Sequence, residues 1–122
     1  MADHFTADVE SYSVYRYARP GAVLRAAIYV NAEAAGEGDP EELRIFFYET
    51  GAVLPANEYD SDSLVGFAYE HIEDYLGYID LLRNEAPIKV TFGLESDPPY
   101  FVLSCKDEAP GEGERSWPWQ QP

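Results

Sequence analysis

Basic residues are scarce in this 122-residue chain: 8 Lys and Arg stand against 23 Asp and Glu, a net charge of −15. A field of that sign repels nucleic-acid phosphate and anionic lipid, and attracts basic surfaces. A single cysteine, Cys105, cannot close an internal disulfide, so no oxidised framework staples the fold. His4, His71 and that cysteine lack the clustered spacing of a zinc or iron site. No window approaches the ~20 apolar residues of a membrane span, and the N-terminus, MADHFTADVE, has no basic stretch followed by an apolar run. The expectation is a cytoplasmic protein without membrane contact. Also missing are G-x-S-x-G, a phosphate-cradling glycine loop and a dinucleotide fingerprint, so no cofactor and no catalytic residue is indicated.

Aromatic rings are plentiful instead. Ten Tyr, six Phe and two Trp sit in a chain that is 46% hydrophobic. Rings of this kind fit pleated, half-buried surfaces and tilt the expectation toward sheet. Length and composition suit one domain over residues 1–115, followed by a Pro- and Trp-containing tail, 116–122. In that tail Trp117 and Trp119 either tuck back onto the sheet or form an exposed docking element.

Alternation of apolar and polar residues predicts the strands. Residues 9–18 and 22–31 read as a hairpin around Arg19-Pro20-Gly21, where Pro fixes φ and Gly tolerates positive φ. Residues 43–49 read as a third strand, 88–95 and 99–106 as the last two. Residues 64–70 fit a strand, with Val65, Phe67 and Tyr69 on one face, or a backward extension of the following helix; Gly66 and the rings favour the strand. Helical spacing runs from Ile72 to Arg83 through Tyr75, Leu76, Ile79 and Leu82. Arg83 suits the negative end of the helix dipole, Asn84 a left-handed cap, and Pro87 the stop. The sum is an α+β fold of order β-β-β-(β)-α-β-β: one mostly antiparallel sheet of five to six strands with one amphipathic helix on one face.

Three groups of residues are candidates for function. The sheet face away from the helix gathers bases among aromatics: Tyr12, Arg16, Arg25, Tyr29, Arg44, Tyr48 and Lys89, with Tyr15 and Tyr17 replacing Tyr12 and Arg16 in the other register of the first strand. Such a face suits contact with a protein partner or a second copy, because Tyr and Arg are enriched at binding hot spots. Glu70, His71, Tyr75 and Tyr78 could line a small-ligand or catalytic pocket between helix and sheet. The acidic loops 33–42, 58–62 and 70–74 could mimic nucleic-acid phosphates. Glu58, Asp60 and Asp62 resemble a calcium loop only loosely, because the positions of Leu64, Gly66 and Glu70 depart from its pattern. A solvated loop with local Asp and Ser turn bonds explains them as well. Cys105 reads as a small buried hydrophobe. The leading expectation is a non-enzymatic protein-interaction module.

Overall fold

The computed structural model describes residues 4–34 and 36–105. The tail with Trp117 and Trp119 therefore lies outside the described residues. Seven strands form one mixed sheet: β1 (His4–Arg16), β2 (Leu24–Ala32), β3 (Glu42–Tyr48), β4 (Glu58–Asp60), β5 (Val65–His71), β6 (Lys89–Gly93) and β7 (Tyr100–Ser104). Their spatial order is β4-β5-β3-β2-β1-β6-β7. The expected sheet is thus larger by a short strand, and one of its pairings is parallel, β3 with β5. Residues 49–64 supply the crossover that a parallel pair requires.

The hairpin β1–β2 turns where expected. Gly21 sits at φ 78°, and the Ala22 N–H donates to the Arg19 carbonyl at 3.1 Å. Beyond the hairpin, β1 continues backward to pair with β6 through residues 4–8. One long strand thereby belongs to both halves of the sheet and lets it curl. The curl brings the far ends together: the Phe101 ring of β7 lies where a Cβ on Gly66 of β5 would be only 2.6 Å away. Asn57 ties the same seam, accepting from the Tyr69 N–H and donating to the Pro99 carbonyl, both at 3.3 Å.

The concave side holds the core. Ile28, Val30, Leu43, Ile45, Phe47, Val90 and Phe92 are buried there. The helix covers it as a 3₁₀ turn, Ile72–Asp74, followed by α1 (Tyr75–Asn84). Tyr75, Ile79 and Leu82 of α1 face the core, at the three- and four-residue spacing of one helix face. Leu76 departs from that expectation, being 73% exposed. Asn84 departs as well: it is the last helical residue, it is not among the residues with positive φ, and Glu85 follows in an extended conformation. Its side chain donates to Asp80 Oδ1 at 2.6 Å, one helical turn back. The helix end is therefore closed by the Glu85 N–H on the Leu81 carbonyl at 3.2 Å, without a left-handed cap.

Candidate functional site

The convex face carries a ladder of aromatic rings, and strand register builds it. Directly paired residues share a face, so Tyr15, Ala27, Phe46 and Tyr69 form one row across β1, β2, β3 and β5. Ser13, Tyr29, Arg44 and Phe67 form the next row. The rings connect along and between rows. Tyr15 to Tyr29 measures 4.8 Å between centroids, Tyr29 to Phe46 6.2 Å, Phe46 to Phe67 6.3 Å, and Phe46 to Tyr69 5.8 Å. Tyr48 closes the series on Tyr69 at 5.9 Å, edge to face. The small Ala27 is fully buried although it points to the convex side, because the flanking rings close over it. Tyr15 remains 43% exposed, while the other five rings are half-buried.

Arg44 lies within this ladder, its guanidinium 4.6 Å from the Tyr29 centroid. Its Nε also donates to Glu42 Oε1 at 2.9 Å, and that bond, foremost, holds its pKa above the ordinary arginine value. The ladder's embedded base is consequently neutralised, and the face presents π-surfaces and hydroxyls more than positive charge. Acids border it: Glu58 is paired with Phe67, and Asp60 with Val65.

The structure distributes the expected interaction residues unevenly. Tyr29, Arg44 and Tyr48 belong to the ladder, and Arg25 is exposed at the bulge that begins β2. Tyr12 and Arg16 do not belong. They pair with Val30 and Ala26, whose side chains are core, and Arg16 lies 5.0 Å over the Tyr75 ring. A bulge between Val9 and Ser11 sets this register, and one extra residue moves every following side chain to the other face. Lys89 bonds Asp8 Oδ1 at 2.6 Å, at the β1–β6 pairing. Asp8 and Tyr15 are seven positions apart along β1, roughly 20 Å. Sequence reasoning offered Tyr15 only as the alternative register of the first strand, and left Phe67 and Tyr69 out of the candidate face. Period-two alternation put each on a shared strand face, but nothing in it signalled that β5 would lie beside β3.

The four pocket candidates do not converge. The Tyr78 hydroxyl donates to Glu70 Oε2 at 3.0 Å, and burial, then the Glu70 charge, pushes the Tyr78 pKa well above the ordinary tyrosine value. These two line an open cleft of about 480 Å³ with Asp74, Gly77, Leu81, Phe101, Val102 and Leu103. Tyr75 is instead buried edge-on against Phe47 at 5.2 Å. His71 lies on the convex side and bonds the Ala52 carbonyl through Nε2 at 2.8 Å. A carbonyl only accepts, so Nε2 carries the proton in that bond.

Two of the acidic loops are neighbours. The Glu41 N–H donates to the Leu64 carbonyl at 2.9 Å, and burial, helped by Asp39, Glu41 and Asp60, raises the Tyr59 pKa. Segment 70–74 begins at the other end of β5. Asp60 Oδ1 accepts the N–H groups of Asp62 at 2.9 Å and Ser63 at 3.4 Å, the local turn bonding of a solvated loop. The backbone bond from Asp62, then the side-chain hydroxyl of Ser63, holds the Asp60 carboxyl below its ordinary pKa. Among the described residues no group of three or more His, Cys, Asp or Glu is placed to hold a metal ion. No helix among them is long and apolar enough to cross a membrane. Cys105 follows the end of β7, half-buried. Comparison with known proteins returns no matching family model, no matching curated protein and no matching solved structure.

Proposed function

We propose that this chain is a non-enzymatic protein-interaction module that docks a basic partner on its convex aromatic face. The observation that carries the reading is the unbroken ladder from Tyr15 through Tyr29, Phe46, Phe67 and Tyr69 to Tyr48. Six touching rings on the side opposite the helix offer a rigid contact surface whose side chains lose little rotamer freedom on binding. Lys and Arg of a partner would meet ring faces, an attraction of about 0.5–2 kcal/mol each as water is excluded. The acids bordering the ladder and the net −15 supply long-range steering toward a positive surface. A second copy is the weaker occupant, since it would bring like charge against like.

The test compares wild type with the pair Tyr15→Ser and Tyr48→Ser, both at rings that reach the surface, and with an unrelated exposed change, Leu76→Ser on the helix. A basic protein captured by wild type and Leu76→Ser, and lost with the ladder pair, is the expected result. Capture that survives the ladder pair, or a preparation that only dimerises by light scattering, overturns the basic-partner reading.

A further inference from the structure

The two edges of the sheet are guarded very differently. At one edge β4 is three residues long and carries Glu58 and Asp60, both features that discourage further strand pairing. At the other, β7 (YFVLS) pairs, among the described residues, with β6 alone, and it contains neither charge nor proline. Val102 at its centre is 44% exposed. Alternate residues of such an edge turn N–H and C=O groups away from the sheet, toward whatever lies alongside.

What lies alongside is a slot. The sheet nearly closes on itself where Phe101 covers Gly66 and Asn57 bridges Tyr69 to Pro99. Further along, β7 and β5 are separated by the cleft of about 480 Å³, within the range of volumes that hold ligands. Its walls divide chemically. Leu81, Phe101, Leu103 and the Tyr78 ring are apolar, Glu70 and Asp74 are acidic, and none of the described residues that line it is basic. Tyr78 is held protonated by its burial, so its hydroxyl donates to Glu70 Oε2 throughout the neutral range and orients that carboxylate, with Oε1 left for another donor.

We propose that the free edge of β7 and the cleft beside it form a strand-addition site for an extended peptide segment carrying a cationic side chain. The segment's backbone pairs with β7, one alternate side chain enters the cleft, and its ammonium or guanidinium group meets Glu70 with Asp74 nearby. Charge complementarity selects this occupant over an acidic or neutral strand, and main-chain pairing supplies the affinity. The inference uses none of the ladder residues, so it stands or falls apart from the convex-face reading.

The probe is a capped six-residue peptide of alternating Val and Lys, titrated into the full chain while amide exchange of Tyr100–Ser104 is followed. Binding with new protection of β7 amides is expected. Replacing Lys by Glu, or N-methylating alternate peptide bonds, should each weaken it about tenfold or more, and Glu70→Gln should weaken only the Lys peptide, by about tenfold. Binding that ignores N-methylation is electrostatic adhesion and overturns the proposal. So does Glu70→Gln affinity equal to wild type, or no binding at all. Protection of the outward-facing β7 amides in the free chain assigns the edge to residues 106–122, and such protection that grows with protein concentration assigns it to a second copy; either refutes the peptide site.

Discussion

Gly66 shows how much of this fold turns on one absent side chain. It lies on the concave face of β5, level with Tyr59 and Leu43 on its neighbours, and the Phe101 ring occupies the space a Cβ would take. Phe101 in turn packs edge-on against the buried Phe92 at 5.7 Å. The ring therefore cannot swing aside without losing core contact. Gly66→Ala should destabilise the protein by about 1–3 kcal/mol, the usual cost of overpacking, read as a lower denaturant midpoint at unchanged slope. If the cause is this contact, the cost should shrink when Phe101→Leu is added, because the two changes share one site. Equal cost in both backgrounds would show that β5 objects to Ala for another reason.

At the scale of elements, the legible parts were those written in local sequence. The β1–β2 hairpin followed from alternation and an Arg-Pro-Gly turn, and β5 from its rings and Gly66 despite its helical alternative. Long-range pairing was not legible. Nothing in Leu43–Glu49 or Val65–His71 says that they should run parallel, because periodicity reports a face and never a neighbour. Bulges hid more: the irregularity at Val9–Ser11 moved Tyr12 and Arg16 to the core side, and the one at Leu24–Ala26 paired Leu24 with Tyr48. Asn84 misled because its amide found Asp80 within the helix, so no left-handed residue was needed. Of the candidate pocket, only Glu70 and Tyr78 met, since α1 turns Tyr75 to the core and β5 turns His71 to the opposite face. Their contact makes an element-level prediction. Tyr78 links α1 to β5 as a neutral donor, with its pKa raised above the ordinary 10.0. Below pH 10 both folded and unfolded forms hold the proton, so this group adds no slope. Above it the unfolded chain ionises first, binds fewer protons than the native state, and stability falls as pH rises. Urea midpoints of wild type should therefore drop from about pH 10 upward, and Tyr78→Phe should make that drop shallower. An identical slope in Tyr78→Phe would leave the alkaline loss to other tyrosines, such as Tyr59 and Tyr69, whose pKa values burial also raises.

For the molecule as a whole, folding concentrates a net charge of −15 into a small volume, and salt acts on that excess with a predictable sign. The Debye length shrinks from about 30 Å at 0.01 M to about 8 Å at 0.15 M, so added NaCl screens repulsion among acids far apart on the surface. The ion pairs Arg44–Glu42 and Lys89–Asp8, seen among the described residues, include partly exposed groups and are each worth little, about 1 kcal/mol at most. Repulsion outweighs them, and the denaturant midpoint should rise between 0.01 and 0.15 M NaCl. Association with a basic partner must respond oppositely, because the same screening removes the attraction that steers encounter. Its on-rate should fall on the order of tenfold or more across that range. Both signs come from one charge distribution, so they are measured together, by unfolding curves and stopped-flow binding in the same buffers. A midpoint that falls with salt would mean that local ion pairs, not the net charge, govern the fold. An on-rate indifferent to salt would mean that the ladder recognises its partner through its rings alone.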